Sequence, residues 1–514
     1  MQRDLGAFTD ETFDLCVIGG GITGAGAALD AATRGWRVAL IDKGDFASGA
    51  SSASSKHVHG GLRYLEYGHW FLVHEALIER GRLLRNAPHL VRPLPFVLPF
   101  YAGQRLAPWQ WRLGLTLYDW LAGRANLARS RRLSMRQIRA ALPHLNAAGL
   151  LGGALYHDAQ MDDARLCLAV LQTAARHGAV VANYVEAVAF EKSGGNIVGL
   201  WAEDRLTRNR FLIRSRAVLN ATGPWADAVC RLAGDAGAPH LQPTKGVHLI
   251  APARGHRAAA LLLHPRDGRV FFVIPWHGKT LLGTTDTSPE TGPDALRILP
   301  AEIDYLLEGY NRHFSAGLQA TDVMGSFAGL RPLIRAPSAE PSARAREFRL
   351  HAGASGLVTA LGGKYTTYRS MAETSVDFLA ARLGRRRRCR TRDLPLVGTP
   401  PTPWDAFFAP TTAAIGARFS LAEDCAVHLV NRYGDQVEAV LQRMRGVAHG
   451  FERLHPEEPD LLGEQAWQRE EEMAIFAEDL FLRRSRIGMF RPEVILPSPL
   501  GGKGQTKPTE SDHV

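Results

Sequence analysis

The chain has 514 residues, 46% hydrophobic and 22% charged, with a formal net charge of +10; it has the length for two or three domains with sizeable cores. Its cysteines, Cys16, Cys167, Cys230, Cys389 and Cys425, are scattered without a CxxC. That excludes an iron–sulfur or structural zinc site, fits a reducing cytosol and leads us to expect no metal. With Asp4, Asp10, Glu11 and Asp14 ahead of the first apolar run, the N-terminus does not read as a signal peptide, and no apolar run reaches the roughly 18 residues of a transmembrane helix.

Residues 13–42, FDLCVIGGGITGAGAALDAATRGWRVALID, predict a strand at 15–18, a glycine turn, an Ala-rich helix to 33 and a second strand at 38–41. This is a dinucleotide-binding βαβ unit. Gly19 permits the tight turn, Gly21 a close approach to pyrophosphate, and Gly24 close helix–sheet packing, while the helix N-terminus faces the phosphates. Asp42 stands where an acid meets an adenosine ribose. The unit leaves the identity of the dinucleotide open.

The serine run 48–55 leads into Lys56-His57-Val58-His59-Gly60-Gly61-Leu62-Arg63-Tyr64. Serine runs are commonly flexible linkers; here the position after a nucleotide-binding strand predicts a loop wrapped over phosphate and cofactor. Helical periodicity over 70–86 places Leu72, Ala76, Leu83 and Leu84 on an apolar face. Prolines then interrupt VRPLPFVLPF, which suits an edge strand or an extended connector. Arginines at 105, 112, 124, 129, 131, 132, 136 and 139 face one acid, Asp119, among Trp109, Trp111, Tyr118, Trp120 and several leucines. Two readings stand: an interfacial helix, or a core-packed helix with a solvated basic flank. No nucleic-acid-binding signature accompanies the charge, so no nucleic-acid partner is expected.

Further on, YHDAQMDDARL leads into a helix at 166–177 and a strand at 180–183, and the apolar strand at 217–220 ends in Ala221-Thr222-Gly223. Beside the first motif, that ending favours FAD over a plain strand-to-helix turn. Strands at 247–250, 270–276 and 281–286 are rich in β-branched and aromatic residues and predict an antiparallel sheet. A helix is predicted at 302–314. Arg331 stands beside a glycine turn, and the strand at 357–360 runs into Gly362-Gly363-Lys364-Tyr365-Thr366 and a helix to 383. That second glycine turn is another place for backbone N–H groups to meet an anion. The four-arginine run 385–388 and the proline-bearing stretch to 402 read as a linker, with the run a solvated charge cluster. Residues 411–488 are largely helical, and 497–514 reads as a disordered tail.

In order, the motifs GGGITGAG, SSASSKHVHGGLRYLE, MDDARL, NATGPW, FVIPW, GTTD, GLRPL and GGKYTTYR resemble those of the aerobic, membrane-associated, FAD-dependent glycerol-3-phosphate dehydrogenases over residues 12–490. The resemblance implies an α/β fold: an FAD-binding Rossmann-like domain of the D-amino-acid-oxidase type, an antiparallel-sheet substrate domain and a helical C-terminal domain. The expected division gives the FAD-binding domain residues 1–390 (1–85, 145–240 and 325–390). The substrate domain is inserted in it (86–144 and 241–324), and a helical domain follows (391–496).

The resemblance also implies oxidation of sn-glycerol 3-phosphate to dihydroxyacetone phosphate, with electrons passing from FAD to a membrane quinone. The enzyme would be cytoplasmic and peripherally attached to the anionic cytoplasmic face of the inner membrane. The residues leave open whether it works as a homodimer. FAD contacts are expected from Gly19, Gly21, Gly24, Asp42, Ser51, Ser52, Ser55, Thr222 and Gly223, with Val185 near adenine and Gly363, Lys364 and Thr366 near the flavin. Around the substrate stand His59, Arg63, Tyr64, Thr285, Arg331 and Lys364.

Two departures matter: the acid ending the second strand is Asp42 rather than the common Glu, and no cysteine-bearing domain follows, unlike the anaerobic type. Chemically, Arg63 and Arg331 suit a phosphate dianion, with Tyr64 and Thr285 supporting. His59, whose free pKa is near 6.5, is either the base or only a hydrogen-bonding partner of the loop or flavin. Lys364 lowers the alcohol's pKa or stabilises anionic reduced flavin. The rival readings are a glycerol-3-phosphate oxidase using oxygen, an amine or amino-acid oxidase on the same fold, and a flavin-bearing binding protein without turnover.

Overall fold

A computed structural model describes residues 1–104, 107–235, 241–335 and 347–495; Arg105 and the tail 497–514 lie outside the described residues. The apolar run becomes the strand Leu15–Ile18, buried along its whole length, as a parallel strand covered on both faces must be. It pairs in parallel with Val38–Ile41 on one side and Val218–Asn220 on the other. Val180–Ala182 lies beyond Val38–Ile41, and Val358–Gly362 and Phe348–Ala352 lie beyond Val218–Asn220, giving a six-stranded sheet that is antiparallel only at its Phe348–Ala352 edge.

The helix Ile22–Thr33 packs on this sheet between the helices Asp163–Arg176 and Tyr368–Arg382. Neighbours on both flanks explain its alanines: Ala25, Ala27, Ala28 and Ala31 have no exposed surface. The turn beneath it is equally crowded. A Cβ on Gly19 would stand 2.7 Å from the Ala221 carbonyl oxygen, and one on Gly24 would stand 1.9 Å from the Gly19 carbonyl oxygen.

A nine-stranded sheet forms the second layer. It runs Gly325–Arg331, Thr244–Pro252, Lys279–Gly283, Val270–Trp276, Ala259–Leu263, Val91–Tyr101, Leu150–Met161 and His57–Val58, with Arg131–Leu133 also on Leu150–Met161. Only Ala259–Leu263 beside Val91–Tyr101 pairs in parallel. Val91–Tyr101 is therefore an interior strand, not an edge or a connector. Pro93, Pro95 and Pro99 share one parity, so their missing N–H groups all point to one side of the strand. The eleven-residue ladder to Leu150–Met161 occupies the other side, whereas Ala259–Leu263 touches only Phe96 and Val97. A small antiparallel sheet of Val185–Ser193, Asn196–Asp204 and Arg210–Arg214 completes the strands.

Trp70–Asn86 is helical as expected, but its inner face carries charge as well as Val73, Ala76 and Leu77. Glu79 pairs with Arg369 at 2.7 Å and Arg80 with Asp158 at 2.6 Å, so both charges are buried with partners. Arg386, Arg387 and Arg388 of the arginine run are exposed, as expected, while Arg385 pairs with Asp14 and Arg387 also donates to the Arg34 carbonyl at 3.1 Å. The C-terminal helices are Trp404–Phe419, Glu423–Tyr433, Val437–Arg445 and Glu464–Glu472; Met473, at φ +53°, ends the last of them. Gly24→Ala is expected to destabilise the protein by about 1–3 kcal/mol through overpacking, read as a lowered urea midpoint; an unshifted midpoint would mean that the turn can open around a methyl group.

Candidate active site

At the first turn, the N–H of Ile22 at the helix start donates to Ser51 Oγ at 2.9 Å, which folds the serine loop onto the helix N-terminus. Asp42 ends the second strand and accepts from the Gly20 N–H (2.6 Å) and the Gly44 N–H (2.8 Å). Burial pushes its pKa up to about 6, with these two donors working in the opposite direction. Each carboxylate oxygen keeps a second lone pair, enough to accept a ribose hydroxyl. The Val185 N–H donates to the Asp42 carbonyl at 2.7 Å, which sets Val185 beside it. Thr222 follows the buried strand Val218–Asn220 and donates through Oγ1 to Asn220 Oδ1 at 2.7 Å.

The other part of the site gathers the reactive side chains. Thr366 Oγ1 bonds both the N–H and the carbonyl of His59, each at 3.3 Å, and the His59 ring lies 4.5 Å from that of His57. Next to it, the Gly60 N–H donates to the Tyr118 hydroxyl (2.8 Å), which donates to Asp158 (2.7 Å). Burial, and then Asp158, pushes the Tyr118 pKa well above its usual value, so the phenol stays protonated and donates. Lys364 is buried with its Nζ 3.8 Å from the Tyr64 ring centroid, a cation–π contact. Arg63 lies on the 3-10 helix Leu62–Tyr67 and donates to the Tyr67 hydroxyl at 3.4 Å.

Arg331 donates to Asp286 Oδ1 (3.0 Å), Thr284 Oγ1 (3.0 Å) and the Thr285 carbonyl (3.1 Å). Thr285 Oγ1 itself accepts from the Val247 N–H at 2.9 Å. Asp286 also lies 3.5 Å from Arg269, so one carboxylate serves two guanidinium groups. Arg63 and Lys364 line the same cavity, so four cationic side chains gather at this end of the site.

One cavity of about 990 Å³ is lined by every FAD and substrate contact expected from the sequence except two. Gly24 sits below the turn, and Ser52 turns its carbonyl to Lys56 Nζ. Sequence reasoning missed His57, His248, Arg269 and Asp286, which line the same cavity. His248 is stacked on Phe327 and bonded to Ser55 Oγ at 2.8 Å, and burial, then Arg331, holds its pKa well below 6.5. Asp286 closes the GTTD motif, the one local signal among them; the others depend on distant strands.

FAD fits this cavity. A Cβ on Gly21 would stand 3.1 Å from Ser51 Oγ and fill the gap where a pyrophosphate approaches the helix start. Asp42 and Val185 suit the adenosine side, and Gly363, Lys364 and Thr366 the flavin side. The volume matches the upper range of ligand sites, roughly 1,000 Å³. Fold and cavity together define an FAD-dependent oxidoreductase of the D-amino-acid-oxidase type.

Residues 14–369 match the family "FAD dependent oxidoreductase", and residues 389–497 match "C-terminal domain of alpha-glycerophosphate oxidase". The aerobic glycerol-3-phosphate dehydrogenase of Bacillus subtilis (strain 168) is 37% identical over 501 residues, covering 94% of this chain and 89% of that protein. The chain belongs to the FAD-dependent glycerol-3-phosphate dehydrogenase family, and its cofactor is FAD. The glycerol-3-phosphate dehydrogenase of Bacillus halodurans, solved with FAD, superposes with a TM-score of 0.79 at 32% identity, covering 95% of this chain and 89% of that one. An L-alpha-glycerophosphate oxidase from Mycoplasma pneumoniae, with FAD bound, shares the fold at a TM-score of 0.59 and 17% identity, over 74% of this chain and 97% of that one.

Removing the Tyr118 hydroxyl leaves Asp158 short of a donor and the Gly60 N–H with only its longer bond to Asp158 Oδ1, at 3.4 Å. Tyr118→Phe should therefore lose about 1–3 kcal/mol of stability in urea, and a loss below about 0.5 kcal/mol would show the bond to be idle.

Proposed function

We propose that the protein oxidises sn-glycerol 3-phosphate to dihydroxyacetone phosphate and delivers the two electrons to a membrane quinone. The observation that carries this is the gathering of Arg63, Arg269, Arg331 and Lys364 beside His59, in the cavity that fits FAD. The names of the relatives support the glycerol 3-phosphate part of this reading. When bound, FAD supplies the acceptor for the hydride that leaves the carbinol carbon.

Arg63 and Arg331 hold the phosphate dianion, with Arg331 shared between it and Asp286. His59 takes the hydroxyl proton, its backbone fixed by Thr366 on one side and through Gly60 by Tyr118 on the other. Lys364, kept in place over Tyr64, brings positive charge to the reacting alcohol and lowers its pKa. Glycerol 3-phosphate should bleach the flavin of the purified protein anaerobically, and a quinone analogue should reoxidise it faster than oxygen does. No bleaching would overturn the reading, and faster reoxidation by oxygen would make the protein an oxidase. Arg331→Ala is expected to raise the substrate dissociation constant at least about tenfold, whereas His59→Ala should mainly slow flavin reduction at saturating substrate.

We further infer that the enzyme docks on an anionic membrane through the helix Pro108–Ala122 and its neighbours. Trp111, Leu115, Tyr118 and Leu121 are buried, while Trp109 (66% exposed), Leu113 and Trp120 (74%) form an outward stripe at helical spacing. Phe71, 94% exposed, and Trp70 lie at the start of the helix packed beside it. On this proposal the core-packed reading describes the inner face and the interfacial reading the outer one. Arg112, Arg124, Arg129, Arg131 and Arg132 are exposed around the stripe, and Asp119 is occupied by the Ser130 N–H and hydroxyl. Among the described residues no helix is long and apolar enough to cross a membrane. Replacing Trp109, Leu113 and Trp120 by Gln should abolish flotation with phosphatidylglycerol vesicles; undiminished flotation would refute this surface.

A further inference from the structure

The C-terminal helical region does more than pack beside the nucleotide site. Near its end three arginines, Arg483, Arg484 and Arg486, reach back into acids that flank the first βαβ unit and the serine loop. Arg484 donates to both carboxylate oxygens of Asp45, at 2.6 and 3.0 Å, and Arg483 Nε to one of them at 2.5 Å. Arg486 donates to Asp163 at 2.5 Å and to Asp162 through Nε at 3.1 Å. Arg484, Arg486, Asp45 and Asp163 have almost no exposed surface.

Asp163 is the hub of this arrangement. Besides Arg486 it accepts from Lys56 Nζ (2.8 Å), from the Ser54 hydroxyl (2.6 Å) and from the Ser54 N–H (3.1 Å). Lys56 Nζ also donates to the Ser52 carbonyl. The Asp163 carbonyl accepts from the Tyr365 hydroxyl at 2.5 Å, next to Lys364. The two loops expected to touch FAD therefore meet at one buried residue, whose charge is completed from the C-terminal region. Asp162 and Asp163 are balanced by Lys56 and Arg486, two against two. A buried carboxylate that loses its counter-charge either takes up a proton or moves toward water, and each releases the serine loop.

We propose that Arg486 is a positioning residue for the cofactor: it holds Asp163 ionised and in place, and Asp163 in turn holds Ser54, Lys56 and the serine loop in their FAD-binding shape. The C-terminal region is on this account a clamp on FAD. The inference rests on FAD as the cofactor and is independent of the substrate and of the electron acceptor.

The test uses the purified full-length holoprotein and reads FAD affinity by the flavin fluorescence released on dilution, so turnover does not enter. Arg486→Gln should raise the FAD dissociation constant about tenfold or more. Arg486→Gln with Asp162→Asn, which restores the charge balance, should return it to within about threefold of the parent, an outcome that a merely structural role for Arg486 would not produce. Ser54→Ala, which breaks the hub from the loop side and leaves the C-terminal packing untouched, should weaken FAD in the same direction and decides the matter if Arg486→Gln does not fold. An unchanged FAD affinity in folded Arg486→Gln or in Ser54→Ala, or no recovery in the double variant, would overturn the proposal.

Discussion

Three stretches of backbone pass through one point in this protein: the turn at Gly19, the helix at Gly24 and the returning strand end at Ala221. Their spacing leaves no room for a single added carbon atom. Everything that faces the cavity is referenced to that crossing. It sets the helix start against Ser51, the exit of the second strand at Asp42, and the approach of Thr222 from below. Because main chains make the contact, the geometry tolerates little repacking.

What was legible in the sequence was local. A strand, a glycine turn, an Ala-rich helix and an acid follow one another within 30 residues, and each step has its own backbone or packing reason. The strand Val91–Tyr101 was harder to read because prolines are ordinarily absent from sheet interiors; only their shared parity, together with the short reach of the neighbouring strand, reconciles them with an interior place. His248 and Asp286 were missed because their significance comes from Ser55 and Arg331, both distant in the chain. The basic, tryptophan-rich stretch could not be assigned one role from periodicity, since the helix carries large apolar side chains on a buried and on an exposed face.

The charge of the chain is distributed in three ways that composition does not distinguish. Buried guanidinium groups are matched by acids: Arg80 with Asp158, Arg369 with Glu79, Arg486 with Asp162 and Asp163. Such pairs contribute little net stability relative to apolar packing, but they fix register, because breaking one strands its partner. The cavity gathers Arg63, Arg269, Arg331 and Lys364 at one end, an arrangement that suits an anionic ligand. The rest is displayed on the surface, as by Arg112, Arg124, Arg129, Arg131 and Arg132 in the stretch of the outward tryptophans. The sum of +10 is therefore a poor guide to any one of these jobs.

The helix Pro108–Ala122 constrains how this protein can be engineered. Its exposed stripe invites replacement by polar residues in any effort to raise solubility, and Trp109, Leu113 and Trp120 offer side chains that no core cluster requires. One turn away the same helix places the Tyr118 hydroxyl on the backbone that carries His59. A solubilised variant is thus confined to one side of the helix. A redesign that shifts its register, even by conservative apolar exchanges on the inner face, would be transmitted to the loop that carries His59 into the cavity rather than staying at the surface.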